Sequence, residues 1–338
     1  MSVALGVATL DRNAAVAPGF ALVTGNLGGA VDSPDTIFNT IVDGNTVWIK
    51  NTGTDYLLTA ARAFSSGTII TPITYEGYNV VRGDLAAENW NASHSPDGWL
   101  TTTGYPVVNG QAFSHIFGSY LVLRCLSLES SCVTTAYTSG ANSHLWRVRI
   151  ASSGNGAGAI GYSCGSRNSI VDSDFIMTGA VNLYCITSAV APIYGCRFTG
   201  TGSGIEPGAG AIIIGCLFED FTTVATAAII HSAVNRNLTV FNSTFYNCSI
   251  CLQLFNGVQF TPNVVLVNNY MVNCNQGVIN PGGSNVLKVA YNNRMACTVN
   301  YRRWTENYGI GDVLGAYSAG EFVDAANGDF HLSPKSPG

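Results

Sequence analysis

A six-position pattern that returns about once every two dozen residues constrains this chain more than any other feature. An aliphatic residue is followed by two others, a small or amide residue, one more, and a large apolar residue. It reads Ile170-Val171-Asp172-Ser173-Asp174-Phe175, then Ile193-Tyr194-Gly195-Cys196-Arg197-Phe198, then Ile213-Ile214-Gly215-Cys216-Leu217-Phe218. Val240-Phe241-Asn242-Ser243-Thr244-Phe245 and Leu266-Val267-Asn268-Asn269-Tyr270-Met271 continue it, with looser copies closing at Leu128, Ile150 and Met295. The closing residues are separated by steps of 20 to 27 residues, with a mean of about 24.

That period excludes most helical repeats, which run to about 33 or 34 residues, and leucine-rich repeats need a leucine-dense consensus that is missing. Within each copy the apolar positions alternate in twos and are rich in Val, Ile, Phe and Thr, as in strands. The pattern predicts a parallel β-solenoid, each coil burying its inner face against its neighbours. Like positions stack about 4.8 Å apart. The aliphatic and closing apolar residues face inward. The small or amide residue, one of Ser173, Cys196, Cys216, Ser243, Asn269 and Asn293, also faces inward at a tight corner. Asparagine there can satisfy buried backbone groups of the next coil.

A solenoid also explains 338 residues as one unit, where a length rule alone would suggest about two domains. Only 10% of residues are charged against 47% hydrophobic, and ordinary domains carry about 25% charged residues. Ser, Thr, Asn and Gly of stacked turns must therefore cover the surface. The net charge is −5, and Lys50, Lys288 and Lys335 are the only lysines. No basic patch interleaves with aromatics, so no nucleic-acid partner is expected. No apolar run approaches the roughly 20 residues of a membrane-spanning helix, so no membrane partner is expected. The first twenty residues lack the basic start and sustained apolar stretch of a secretory signal. The ten cysteines sit mostly in apolar segments, and no Cys/His set has zinc-finger spacing. Buried free thiols are expected, with no metal and no cofactor.

Three further stretches carry a family resemblance. Asp43-Gly44-Asn45-Thr46-Val47-Trp48-Ile49-Lys50 resembles the first coil of pectate-lyase-like β-helix proteins. Pro72-Ile73-Thr74-Tyr75-Glu76-Gly77-Tyr78-Asn79, followed by Arg82-Gly83-Asp84, resembles a stretch common in phage and bacterial members. Gly328-Asp329-Phe330-His331-Leu332-Ser333-Pro334, with Ser336-Pro337, resembles their closing motif. The resemblance spans roughly residues 35–338 and implies an all-β, right-handed parallel β-helix with an N-terminal cap. It implies residues 1–34 as an attachment or capping segment, 35–325 as the β-helix, and 326–338 as a closing segment. It barely constrains function, because that superfamily hosts lyases, hydrolases, epimerases, tailspikes and adhesins.

Two outward rows are candidate sites. Just before each closing residue stand Arg149, Asp174 and Arg197 on neighbouring coils, with Asp172 close by. In a polysaccharide lyase a base removes the proton beside a uronate, and arginine neutralises its carboxylate. The alternative is an exposed ion-pair ladder worth about 0–1 kcal/mol per pair. The other row follows each aliphatic position: Trp146, Val171, Tyr194, Ile214, Phe241, Val267 and Tyr291. An apolar stripe of this length would serve as a sugar platform, a subunit interface or the seat of a packed loop. Trp146, Tyr194, Phe241 and Tyr291 are its aromatic members. The composition and resemblance favour a virion- or surface-associated fibre, spike or decoration protein that contacts a polysaccharide or cell-surface glycan. Homo-oligomerisation, trimeric as in spike-like relatives, is expected. The alternative is a lyase or glycoside hydrolase acting on an acidic polysaccharide.

Overall fold

The computed structural model describes residues 41–80, 82–87, 105–156, 159–179, 184–189, 192–208, 210–223, 226–231, 237–254, 264–279, 287–302, 311–318, 320–325 and 329–334. The N-terminal segment 1–34 and part of the closing motif (Gly328, Ser336 and Pro337) lie outside them.

The periodicity translates into three parallel ladders that share coils. The first contains Thr46–Lys50, Ile73–Tyr78, Ser169–Val171, Pro192–Tyr194, Ala211–Ile214, Leu238–Phe241, Val264–Val267 and Leu287–Tyr291. The second contains Asp174–Met177, Arg197–Gly200, Leu217–Glu219 and Thr244–Tyr246. The long strands Leu121–Ser130 and His144–Ser152 run through both. The third runs from His115–Phe117 through Thr135–Ser139, Ile160–Ser163, Tyr184–Ala189, Ser203–Pro207 and Ala227–His231 to Ile250–Leu254. Among the described residues every pairing is parallel except a terminal hairpin, Phe322–Asp324 against Asp329–Leu332. Asp84–Ala87 is the one helix among the described residues.

The closing residues form one inward column. Leu128, Ile150, Phe175, Phe198, Phe218, Phe245, Met271 and Met295 are successive register partners. All are buried. The four phenylalanines stack nearly parallel at 5.0, 4.9 and 4.8 Å between centroids, which is the strand spacing itself.

A left-handed residue turns each coil from the first ladder to the second. It is Arg147, Asp172, Gly195, Gly215, Asn242, Asn268 and Asn292 on successive coils, all with φ between 47° and 62°. Glycine, asparagine and aspartate tolerate that region best. Gly195 has a second reason: a Cβ there would lie 2.6 Å from Asp172 Oδ1. The next residue is the inward corner. Ser243 N donates to Asn269 Oδ1 and Asn269 N to Asn293 Oδ1, both at 3.0 Å. Asn269 Nδ2 and Asn293 Nδ2 donate to Val240 O and Leu266 O, both at 3.0 Å. Cysteine does the same work more weakly, Cys196 Sγ donating to Tyr194 O at 3.2 Å and Cys216 Sγ to Ile214 O at 3.5 Å. All ten cysteines are free thiols and nine are buried.

Candidate functional site

The two outward rows are true columns of the fold. Ser127, Arg149, Asp174, Arg197, Leu217, Thr244, Tyr270 and Arg294 are register partners in turn. The structure therefore brings Arg149, Asp174 and Arg197 together. It departs from the expected exposed ladder at Asp174, whereas Arg149 and Arg197 keep 21% and 22% of their side chains exposed. Asp174 is only 3% exposed, and Ser127, Leu217 and Arg294 are buried too. Alternation along a strand sets the direction of a side chain, not what lies over it.

Each arginine of the ladder has its own carboxylate. Arg197 Nε donates to Glu219 Oε1 at 2.5 Å, and its Nη2 also pairs with that oxygen. Arg149 Nη1 lies 3.9 Å from Glu129 Oε1. Asp174 Oδ1 is buried without a hydrogen-bond partner. Burial pushes the Asp174 carboxyl up to about 6, against the pull of Arg197 and Arg149 and with some help from Glu219. Burial likewise raises Glu219, against Arg197. Such a carboxylate has proton affinity suited to a base near neutral pH. It lacks the access a polymer substrate needs. Asp172 sits in the left-handed bend (φ 47°) and belongs to the corner, not to this column.

The apolar row is the open one. Trp146, Val171, Tyr194, Ile214, Phe241, Val267 and Tyr291 are also successive register partners. None of them is buried; Tyr194 is 38% exposed and Tyr291 44%. Ile212, two residues before Ile214 on the same outer face, is 39% exposed. The Arg147 guanidinium, buried and donating to Leu85 O at 3.2 Å, lies 4.7 Å from the Trp146 ring centroid. The column begins further back with Trp48, Glu76 and Arg124, where the Arg124–Glu76 ion pair occupies two rungs.

Two features were missed in the sequence reading. An open groove of about 430 Å³ runs along the next corner, lined by neutral polar groups including Thr222, Asn247, Asn273, Asn275 and Tyr317. Here Asp220, Asn247 and Asn273 hold the left-handed turn, and Asn247 Nδ2 donates to Asp220 Oδ1 at 2.6 Å. Against this groove lie Cys248 and Cys274. The sulfurs of Cys251, Cys274 and Cys297 lie within 4.8 Å of one another. Cys248-Ser249-Ile250-Cys251 has C-x-x-C spacing. That was the available signal, and the recurrence of cysteine one coil later at Cys274 and again at Cys297 strengthens it.

A pectate lyase, Pel9A, superposes with a TM-score of 0.58 at 13% identity, over 90% of this chain and 84% of that one. A rhamnogalacturonan lyase superposes with a TM-score of 0.51 at 12% identity, over 88% of this chain and 90% of that one. The chain is a right-handed parallel β-helix. No family model matches the sequence. No curated protein sequence matches it either. At this identity the β-helix likeness reaches the fold alone.

Proposed function

We propose that this β-helix is a surface-associated protein that binds a polysaccharide along the open column from Trp146 to Tyr291, and that it holds the glycan without cleaving it. One observation carries the reading: the outward apolar column has no buried member and exposes the rings of Tyr194 and Tyr291, while Asp174, the only carboxylate of the charged column, is buried. Aromatic side chains combine a broad apolar face with a polar tip, which suits the faces and hydroxyls of sugars. The sparse charge of the remaining surface favours neutral or weakly acidic glycans. Assembly into a trimer, and attachment through residues 1–34, would make the protein a fibre or spike.

A second reading, cleavage of an acidic polysaccharide, draws its support from the raised proton affinity of Asp174 between two arginines. One experiment separates them. The protein is incubated with a panel of acidic and neutral polysaccharides. Co-sedimentation, absorbance of unsaturated products, reducing ends and light scattering are read together. Binding without new ends supports the proposal. Cleavage that disappears in Asp174→Asn, with the fold intact, overturns it in favour of the lyase. A trimer that neither binds nor cleaves any member assigns the open column to subunit contact instead.

A further inference from the structure

Sulfur is unevenly distributed in this chain. Cys248, Cys251, Cys274 and Cys297, with Met271 and Met295, fall on three successive coils near the C-terminal end. Cys274 and Cys297 are direct register partners, and Cys248 N donates to Cys274 Sγ at 3.3 Å. Cys248, Cys251 and Cys274 are buried, and Cys297 is half-buried. Cys248, Cys274 and Cys297 donate to backbone carbonyls, as the corner thiols Cys196 and Cys216 do, but Cys196 and Cys216 stand in a column shared with serine and asparagine and belong to no such sulfur group among the described residues.

The geometry of the cluster is unusual for a core. Three sulfurs from three successive coils, those of Cys251, Cys274 and Cys297, lie within 4.8 Å of one another, and Cys248 lies against Cys274 through its backbone N–H.

We propose that Cys251, Cys274 and Cys297, with Cys248 as a fourth ligand, form a buried site for one thiophilic d¹⁰ cation, zinc(II) or copper(I). Sulfur-only donors select such ions over calcium or magnesium, which need oxygen. Zn–S bonds of about 2.3 Å in a tetrahedron place sulfurs about 3.8 Å apart. Small side-chain rotations bring the three sulfurs, already within 4.8 Å, to that separation. As each metal–sulfur bond forms, the ligating thiol releases its proton to solvent. Zinc(II) uses all four sulfurs, and copper(I) is satisfied by three. Cys297, the half-buried member, marks the entry.

The test uses the full chain, reduced, stripped with a chelator, and supplied with one equivalent of zinc(II) or, without oxygen, copper(I). Metal per chain is measured after gel filtration, and each cysteine's alkylation is followed by mass spectrometry. One retained ion per chain, with the cluster cysteines protected and Cys132 and Cys164 unchanged, is the expected result. Cys297→Ser should lose the ion, and Cys196→Ser should keep it. Cys248→Ser tells the ions apart: loss identifies four-sulfur zinc(II), and retention identifies three-sulfur copper(I). The proposal fails if neither ion is retained by the folded wild-type chain. It fails equally if retention survives Cys297→Ser and Cys274→Ser, or if ion binding leaves the cluster thiols as reactive as before. Should Cys274→Ser not fold, circular dichroism will show it, and Cys297→Ser with the wild-type protection pattern decides.

Discussion

The column through Tyr194 and the column through Arg197 start three residues apart on the same coils, yet they end in opposite environments. The apolar column has no buried member, and Tyr194 and Tyr291 are exposed. The charged column is buried at Ser127, Asp174, Leu217 and Arg294. The left-handed bend between them swings the second ladder onto a different face, so each column meets different neighbours. At the C-terminal end the cover is visible. Tyr317, Phe322 and Phe330 pack over Tyr246, Tyr270, Val272 and Ala296. Arg294 donates from Nε to Glu321 Oε2 at 3.1 Å and from Nη2 to Glu321 Oε1 at 2.6 Å. Direction follows from strand alternation and the bend. Exposure follows from what a distant segment lays on top.

The largest expected effect tests that cover. Glu321→Gln leaves the Arg294 guanidinium buried with no matching charge, and breaking a buried pair costs about 3–5 kcal/mol. Arg197 keeps 22% of its side chain exposed beside Glu219, so Glu219→Gln should cost distinctly less. Denaturant midpoints of the two variants, compared with the wild type, check the ordering. Equal losses would mean that the terminal hairpin does not seal its end of the column more tightly than the middle is sealed.

The next effect concerns pH. Burial raises Asp174 from 3.8 to about 6, so the native state holds its proton more tightly than the unfolded chain. The stabilisation is fully present below about pH 4 and is lost as pH rises through about 6. A shift of this size corresponds to about 3 kcal/mol at 1.36 kcal/mol per unit. Asp174→Asn should therefore flatten the stability profile across that window and narrow the gap between the charged and apolar columns. Glu76 and Glu219 are raised as well and act in the same direction. The comparison between variant and wild type isolates Asp174. Parallel profiles would place the Asp174 carboxylate in contact with water.

Much of this was legible in the sequence because a coil constrains its neighbours through identical geometry. The closing residues from Leu128 to Met295 formed the predicted column because each apolar ring or chain stacks on its own counterpart. The Ser, Cys and Asn corner was legible for the same reason: one backbone bend demands one kind of small polar partner. The burial of Asp174 was not, because it depends on contacts far apart along the chain, which a period cannot encode. The sulfur cluster arises where two inward positions of one coil, Cys248 and Cys251, meet single positions of the next two. A search along one column finds Cys274 and Cys297 but passes by Cys251.

The smallest effect on stability carries the greatest weight for function. Tyr194 and Tyr291 sit four rungs apart on the open column, roughly 19 Å at the strand spacing, and neither ring is enclosed. Replacing both with serine removes two platforms from the outer face without opening a cavity. Surface changes of this kind stay within about 0.5 kcal/mol each, so the denaturant midpoint should barely move. If the open column holds a glycan, the same double variant should lose co-sedimentation with the polysaccharide that the wild type binds. A matched change on the charged column, Arg149→Gln, should leave that binding in place, because the arginine is engaged on a separate face. Should Arg149→Gln abolish binding while the tyrosine variant retains it, the two columns exchange their functional roles. The charged ladder would then be the glycan face, reached through its partly exposed arginines.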